Sequence, residues 1–173
     1  MTELEEVILV NDQDVAIGSM EKMEAHRQGV LHRAFSVFIF NRHGELMLQQ
    51  RAAHKYHSGS LWTNTCCSHP RDGESTEEAA HRRLIEEMGF DCPLKWRFHF
   101  TYKALLDQDL TEHELDHVFT GVYEGPTDLN PEEVMDLRFI SPAQLQKELE
   151  EAPETFTEWF KIAVPILREM GIL

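Results

Sequence analysis

Short apolar runs alternate with polar, turn-forming stretches along most of the chain. The run EEVILVN near the N-terminus and the run HRAFSVFIFN, residues 32–41, are too short for typical helices and carry no helical periodicity. We predict that both are strands. Because the second is apolar on both faces, it should lie in the centre of a sheet. Further strands are predicted over residues 46–51, 59–69, 96–106 and 114–125, with the last two paired.

Helical periodicity and capping residues predict four helices, over residues 19–29, 75–90, 141–151 and 155–171. The second is the clearest, because Ser75 and Glu78 form a capping box and Gly89 is a typical helix stop. The first has Ser19 as a candidate N-cap and Gly29 as its stop, and the last two also open with capping signals. Most strands precede the last helices, which favours an α/β fold with a sheet sandwiched between helices.

Charge and composition narrow the class of protein. A length of 173 residues suits one domain, residues 1–173, and the net charge of −15 argues against nucleic acid as a partner. No apolar run approaches the roughly 18 residues of a membrane span, and the N-terminus has no basic segment typical of a signal peptide. Three cysteines without a secretion signal point to a reducing compartment, so we expect a cytoplasmic protein.

Two of the three cysteines are adjacent, in the stretch TNTCCSHP, residues 63–70. A bond between Cys66 and Cys67 would be strained, and a zinc knuckle is disfavoured because the chain has no C-x-x-C pair. In an extended strand, alternation places Thr65, Cys67 and His69 on one face and Cys66 on the other, toward the core. We therefore expect one buried thiol and one thiol that shares its face with an imidazole.

A second group with chemical potential lies in the stretch TEHELDH, residues 111–117. Period-two alternation puts Glu112, Glu114 and Asp116 on one face of a strand. Three carboxylates on one face either form a solvated outer surface or bind a cation together with imidazoles from elsewhere. The stretch alone leaves both interpretations open.

Most of the ten histidines are expected to have no special role. We place five of them in this group: His43, His54, His57, His81 and His99. Three others flank chemically interesting segments, namely His26, His32 and His69. Alone, none of these three makes a metal motif.

The stretch HPRDGESTEEAAHRRLIEEMGF, residues 69–90, resembles the signature helix of the Nudix family. The matching positions are Glu74, Arg82, Leu84, Glu86, Glu87, Gly89 and Phe90. The chain departs from the signature at Ser68, where the family has glycine, and at Arg83, where it has a metal-binding glutamate. An arginine cannot bind a cation but can grip a diphosphate, so this resemblance implies a site that holds a diphosphate without cleaving it.

Further segments extend the resemblance to the type 1 isopentenyl diphosphate isomerases, which have the Nudix fold. The similar segments are LHRAFSVFIFN, QQRAAHK, GSLWTNTCCSHP, FHFTYKA, EHELDHVF and EEVMDLRF, in this order. The resemblance implies an α/β fold of the Nudix type, an α/β/α sandwich with a mixed sheet flanked by helices. Its core would span about residues 30–162 after an N-terminal strand and helix segment, residues 1–29. It also implies the reversible conversion of isopentenyl diphosphate into dimethylallyl diphosphate through a tertiary carbocation.

The resemblance also implies roles for individual residues. One tightly bound divalent metal, manganese, zinc or iron, would be held by His26, His32, His69, Glu112 and Glu114, and Glu87 would bind magnesium that arrives with the substrate. The substrate would contact Lys22, Arg51, Lys55, Ser68, Arg83 and Trp159. Cys67 and Glu114 would act on opposite faces of the five-carbon unit, with Tyr102 orienting the proton at Glu114. Trp62 fits either the apolar wall of the pocket or the core.

The implied partner is a small isoprenoid diphosphate, with no nucleic acid and no membrane, and a monomer is favoured. Two alternatives belong to other classes. A Nudix phosphohydrolase of a small diphosphate would release phosphate, although Arg83 argues against it. A metal-binding or adaptor module without activity would have no use for Cys67, Tyr102 and Glu114 together.

Overall fold

A computed structural model describes residues 4–173. The helices are α1 Lys22–Gln28, α2 Thr76–Met88, α3 Pro142–Glu151 and α4 Glu158–Glu169, with a short 3-10 helix at Pro153–Thr155. The strands are β1 Glu6–Val10, β2 Ala16–Glu21, β3 His32–Phe40, β4 Leu46–Arg51, β5 Trp62–Thr63, β6 Cys66–Ser68, β7 Lys95–Leu105, β8 Thr111–Val122 and β9 Val134–Ile140. Within the described part of the chain, no helix is long and apolar enough to cross a membrane.

Strand β3 occupies the centre of the sheet, as its apolar pattern predicts. It pairs in parallel with β8, from His32 opposite Glu114 to Phe40 opposite Val122, and antiparallel with β6. Single bridges also join it to β1 and β4. Parallel and antiparallel pairs therefore occur in one mixed sheet, and the predicted pairing of β7 with β8 is confirmed.

Helices cover both faces of the sheet. On one face, Phe35 and Val37 of β3 pack with Leu84 and Met88 of α2. On the other face, Phe38 of β3 packs in a cluster with side chains of α3 and α4. This arrangement confirms the predicted α/β/α sandwich, because a strand buried on both faces needs apolar side chains in both directions.

Helix α2 begins and ends where its capping residues predict. The Ser75 hydroxyl accepts the N–H of Glu78, and the Glu78 carboxylate accepts the N–H of Ser75, which completes the capping box. Gly89 follows the last turn with φ 71°, a left-handed conformation that favours glycine. The helix that carries the signature residues is therefore fixed at both ends.

The predicted start of the first helix is wrong. Ser19 lies in β2, where it pairs with Ile8 of β1, and α1 starts only at Lys22. The Glu21 carboxylate, rather than a serine hydroxyl, accepts the N–H groups of Met23 and Glu24. The hairpin that β1 and β2 form overrides the local capping signal.

The predicted strand over residues 59–69 is also wrong as a continuous element. It divides into β5, which pairs with β4, and β6, which pairs with β3. Between them, the Thr65 hydroxyl accepts the N–H of Ile39 and donates to the carbonyl of Met47. Strands β2 and β9 were not predicted, and Thr157 before α4 makes no capping bond.

Candidate active site

Three imidazoles meet where β3 begins. His26 comes from α1, His32 opens β3, and His69 follows β6, with ring centroids 5.0–5.8 Å apart. The Nδ1 atoms of His26 and His32 lie 2.7 and 2.8 Å from the carbonyl oxygens of Lys22 and Val30. A carbonyl only accepts, so these Nδ1 atoms carry the hydrogen and each Nε2 keeps a lone pair. Both Nε2 atoms are buried and make no hydrogen bond of good geometry among residues 4–173, although that of His32 lies 3.3 Å from a Glu114 carboxylate oxygen.

Glu114 of β8 completes this group. One donor atom each from His26, His32, His69 and Glu114 all lie within 4.8 Å of one another. Burial lowers the pKa of His26 to about 4, so its imidazole is neutral at physiological pH. Burial would raise the pKa of Glu114, but the imidazoles of His32 and His69 lower it, so the carboxylate is ionised. Three imidazoles beside an ionised carboxylate, two of them with an Nε2 atom that makes no hydrogen bond, fit a divalent transition metal.

The carboxylates of β8 share one face, as predicted, but that face is not solvated. Glu112 and Glu114 are each 6% exposed and Asp116 is 2% exposed. The Tyr102 hydroxyl on β7 lies 2.8 Å from Glu114 and also contacts Glu112. Since Tyr102 has only one hydrogen to donate, the second contact requires a proton on a carboxyl group. Burial and the neighbouring Glu114 carboxylate raise the pKa of Glu112 well above its usual range, so Glu112 holds this proton until a bound cation replaces it.

The two adjacent cysteines point to opposite faces of the sheet, which confirms the alternation. Cys66 is fully buried in the core beside α2, whereas Cys67 faces the cavity and the cluster beside α4. All three cysteines of the chain are free thiols. Burial raises the pKa of the Cys67 thiol, so it carries its proton and can act as an acid.

Four cations line the same cavity, namely Lys22, Arg51, Lys55 and Arg83. Lys22 pairs with the carboxylate of Glu5, and Lys55 lies 2.6 Å from that of Glu133. Arg51 has no carboxylate partner among residues 4–173 and stacks over the Trp159 ring, 5.2 Å from its centroid. The same lining also contains five carboxylates, namely Glu5, Glu87, Glu112, Glu114 and Glu133. Arg51 is therefore the cation of this group whose charge is not already paired within residues 4–173.

Arg83 and Glu87 lie one turn apart on α2, and both line the cavity. Their side chains are paired at 2.6 Å, and Arg83 also contacts Glu86 at 2.8 Å. Burial disfavours a charged guanidinium, but Glu87 and its neighbouring carboxylates outweigh this and raise the pKa of Arg83. Ser68 lines the cavity as well.

Four residues of the cavity lining were not predicted from the sequence, namely Glu5, Tyr56, His57 and Glu133. His57 was expected on the surface, but it is buried and its ring lies 6.1 Å from that of His26. Burial and the nearby Arg51 lower the pKa of His57 to about 2, so its ring is neutral. With His26 and Glu112, it forms a second group of potential metal ligands. No local pattern marks His57, because its burial depends on Trp159, about a hundred positions along the chain.

The structure places Trp62 outside the cavity lining. Its ring packs against the core beside α4 and lies 4.6 Å from the Arg138 guanidinium. Of the two interpretations of Trp62, the core is therefore the one the structure supports. Trp159, in contrast, is buried and lines the cavity.

Comparison with known proteins defines the class first. The family model of the NUDIX domain matches residues 30–160. A Deinococcus radiodurans crystal structure superposes with a TM-score of 0.76 at 20% identity, covering 93% of this chain and 98% of that one. A MutT protein from Methanosarcina mazei gives a TM-score of 0.66 at 18% identity, covering 82% of this chain and 95% of that one. At these low sequence identities, the structural similarity shows the fold alone.

Curated relatives show to which group of Nudix proteins the chain is similar in sequence. Isopentenyl-diphosphate Delta-isomerase 2 of Photorhabdus laumondii is 51% identical over 155 residues, which cover 90% of this chain and 88% of the relative. Isopentenyl-diphosphate Delta-isomerase of Pectobacterium atrosepticum is 52% identical over 159 residues, which cover 92% and 89%. The chain belongs to the Nudix family and, within it, to the family of the isopentenyl-diphosphate Delta-isomerases.

Proposed function

We propose that this protein interconverts isopentenyl diphosphate and dimethylallyl diphosphate in isoprenoid biosynthesis. The observation that carries the proposal is that one cavity is lined by an arginine, which could bind a diphosphate, and by a thiol and a carboxylate, which could transfer protons. Arg83 stands where a phosphohydrolase needs a metal-binding carboxylate, while Cys67 and Glu114 line the same cavity. The curated relatives named for this reaction support the same assignment.

Cys67 and Glu114 suit proton transfer to opposite faces of a small substrate. Cys67 lies on β6 and Glu114 on β8, and these strands pair with β3 on either side. A substrate seated over β3 would therefore meet one group from each side. A protonated acid adds a proton to the alkene, which leaves a tertiary carbocation, and a base then removes a proton from a neighbouring carbon. The base and acid exchange roles in the reverse reaction.

The surroundings of the cavity support the remaining roles. Tyr102 contacts Glu112 and Glu114 and would hold the transferred proton in place. The face of the Trp159 ring would stabilise the cation. Lys22, Arg51, Lys55 and Arg83 would neutralise the diphosphate together with Ser68.

A divalent metal fits the cluster of three imidazoles and the Glu114 carboxylate. We propose that His26, His32, His69, Glu112 and Glu114 hold one manganese, zinc or iron ion, and that Glu87 binds magnesium with the substrate. A bound cation would supply positive charge that fixes the Glu114 carboxylate and balances the carboxylates around it. The buried Nε2 atoms of His26 and His32, which make no hydrogen bond of good geometry among residues 4–173, support this ligand set.

We also propose that the chain works as a single domain and a cytoplasmic monomer on a small-molecule substrate, without nucleic acid or membrane. Residues from the N-terminal segment support the single domain, because β1 joins the sheet and His26 reaches the cavity. Three free thiols are consistent with a reducing compartment.

Product analysis tests the proposed reaction against the hydrolase alternative. The purified protein is incubated with isopentenyl diphosphate, Mg²⁺ and Mn²⁺ or Zn²⁺, and both the isomer and free phosphate are measured. We expect dimethylallyl diphosphate to form until equilibrium, without release of phosphate. Release of inorganic phosphate or diphosphate without the isomer would favour a phosphohydrolase and reject the proposal.

A further inference from the structure

The loop between β4 and β5 is built to hold His57 inside the cavity. The Ser58 N–H donates to both carboxylate oxygens of Asp107, at 3.0 and 3.3 Å, which ties the loop to the turn between β7 and β8. Ser58 is held in the left-handed region with φ 53°. A side chain at Gly59 would collide with the Ala53 carbonyl, so only glycine fits the close approach there. These constraints fix the backbone on the C-terminal side of His57.

The His57 ring contacts the aromatic wall of the cavity. It meets the Trp159 ring edge-on, with centroids 5.7 Å apart and an interplanar angle of 90°. The carbonyl of His57 accepts a hydrogen bond of 3.2 Å from Arg51, the same guanidinium that lies over Trp159. His57 therefore touches both members of the Arg51–Trp159 pair, one through its ring and the other through its backbone.

Packing alone fixes the Trp159 indole. Its Nε1 is buried and has no hydrogen-bond partner within residues 4–173. A buried aromatic ring without a hydrogen bond takes its orientation from the side chains around it. Among the aromatic side chains described, His57 makes the edge-on contact with the indole, while Arg51 lies over its face.

We propose that His57 is a positioning residue, which holds Trp159 in place and closes the cavity to water around the five-carbon unit. This inference rests on the proposed isomerase function. A tertiary carbocation next to water loses its charge by addition: the water oxygen bonds to the cationic carbon and one proton leaves, which yields a tertiary alcohol diphosphate. Formation of the isomer instead requires that only the base reaches the cation.

His57 also lies with His26 and Glu112 in a group of potential metal ligands, so the test has to separate positioning from metal binding. Phenylalanine separates the two roles. It preserves an aromatic ring and its edge-on packing but has no nitrogen to bind a metal. His54, in the same loop but exposed, is the matched control.

The test compares His57→Ala, His57→Phe and His54→Ala with the wild-type protein. For each, kcat and KM for isopentenyl diphosphate, bound metal and the tertiary alcohol are measured, the last by mass spectrometry. We expect His57→Ala to lose about 10- to 100-fold in kcat, as displaced catalytic geometry does. KM should change by less than about threefold, since the diphosphate contacts remain. The alcohol should appear, and the metal should stay.

His57→Phe should recover most of the lost kcat and suppress the alcohol, and His54→Ala should behave as wild type. If His57→Ala folds poorly, Asp107→Ala replaces it in the test, because it releases the loop without changing a residue of the cavity lining. Asp107→Ala should show part of the loss of kcat and part of the alcohol formation expected for His57→Ala. Wild-type kcat in His57→Ala and in Asp107→Ala would overturn the inference, as would loss of metal in His57→Phe. If the wild-type protein itself formed no dimethylallyl diphosphate, the proposed function would fail, and the inference with it.

Discussion

Replacing Arg83 tests why this cavity should hold a diphosphate rather than cleave it. The guanidinium lies between Glu86, Glu87 and Glu133, at 2.8, 2.6 and 3.3 Å, and its side chain is 19% exposed. We propose that oxygen atoms of the diphosphate accept hydrogen bonds from some of the N–H groups of this guanidinium. Losing one charged hydrogen bond costs about 2–3 kcal/mol, which corresponds to roughly 30- to 150-fold weaker binding.

The variants Arg83→Ala and Arg83→Lys separate charge from geometry. Arg83→Ala should raise the KM for isopentenyl diphosphate and the Kd for inorganic diphosphate with Mg²⁺ by roughly 30- to 150-fold. Lysine keeps the charge but loses the planar fork, so its effect should be intermediate. Steady-state kinetics gives KM, and isothermal titration calorimetry gives the Kd without turnover.

Loss of Arg83 should also lower stability, and this effect has to be measured separately. In Arg83→Ala, buried Glu87 keeps one neutral partner, the Gln49 side chain at 3.0 Å. A buried group that loses its partner destabilises a protein by about 1–3 kcal/mol. Thermal unfolding of each variant shows whether it is folded under the conditions of the binding assay.

Arg82→Ala is the matched control. Arg82 is the neighbouring residue on α2 and is also paired, at 2.7 Å to Glu74, but it is absent from the cavity lining. Its KM should stay within about twofold of wild type. If Arg83→Ala kept the wild-type KM and Kd as well, Arg83 would be a surface ion pair and the diphosphate grip would be rejected.

Three further predictions address the thiols, the metal and the helix cap. Cys67→Ala should lose about 10²- to 10⁴-fold in kcat, the usual share of an acid or base, whereas Cys66→Ala and Cys92→Ala should keep most activity; a fully active Cys67→Ala would reject its role. His69→Ala should lose the tightly bound ion after gel filtration, and full occupancy by metal analysis would contradict the ligand set. Ser75→Ala should lower stability by about 1 kcal/mol, and an unchanged unfolding midpoint would show that the capping box contributes nothing.

The chemistry of β8 could be predicted from the sequence because strand alternation is strictly local. Residues two apart share a face, so Glu112, Glu114 and Asp116 had to lie together wherever the strand was placed. Their burial could not be predicted, because it depends on Tyr102 and Ser36 from other strands. The same alternation correctly placed Cys66 and Cys67 on opposite faces of the sheet.

The wrong predictions concern residues whose position is decided by contacts with distant parts of the chain. Ser19 is a good capping residue by type, but its pairing with β1 places it in a strand. His57 sits in a polar stretch that is typical of a surface loop, and only its contacts with Trp159 and the tie of Ser58 to Asp107 bring it inside. Local patterns therefore identified the main helices and the long strands with the groups they carry, whereas β2, β9 and the position of His57 required the assembled fold.

Proton NMR of the reaction in deuterium oxide tests the proposed isomerisation most directly. Purified protein with Mg²⁺ and one transition metal is incubated with isopentenyl diphosphate, and the alkene and methyl signals are followed with time. We expect the terminal methylene signal to decay while signals of dimethylallyl diphosphate appear, with solvent deuterium in the new methyl group. An unchanged spectrum with folded, metal-loaded protein, or signals of a cleaved alcohol instead, would contradict the proposed isomerisation.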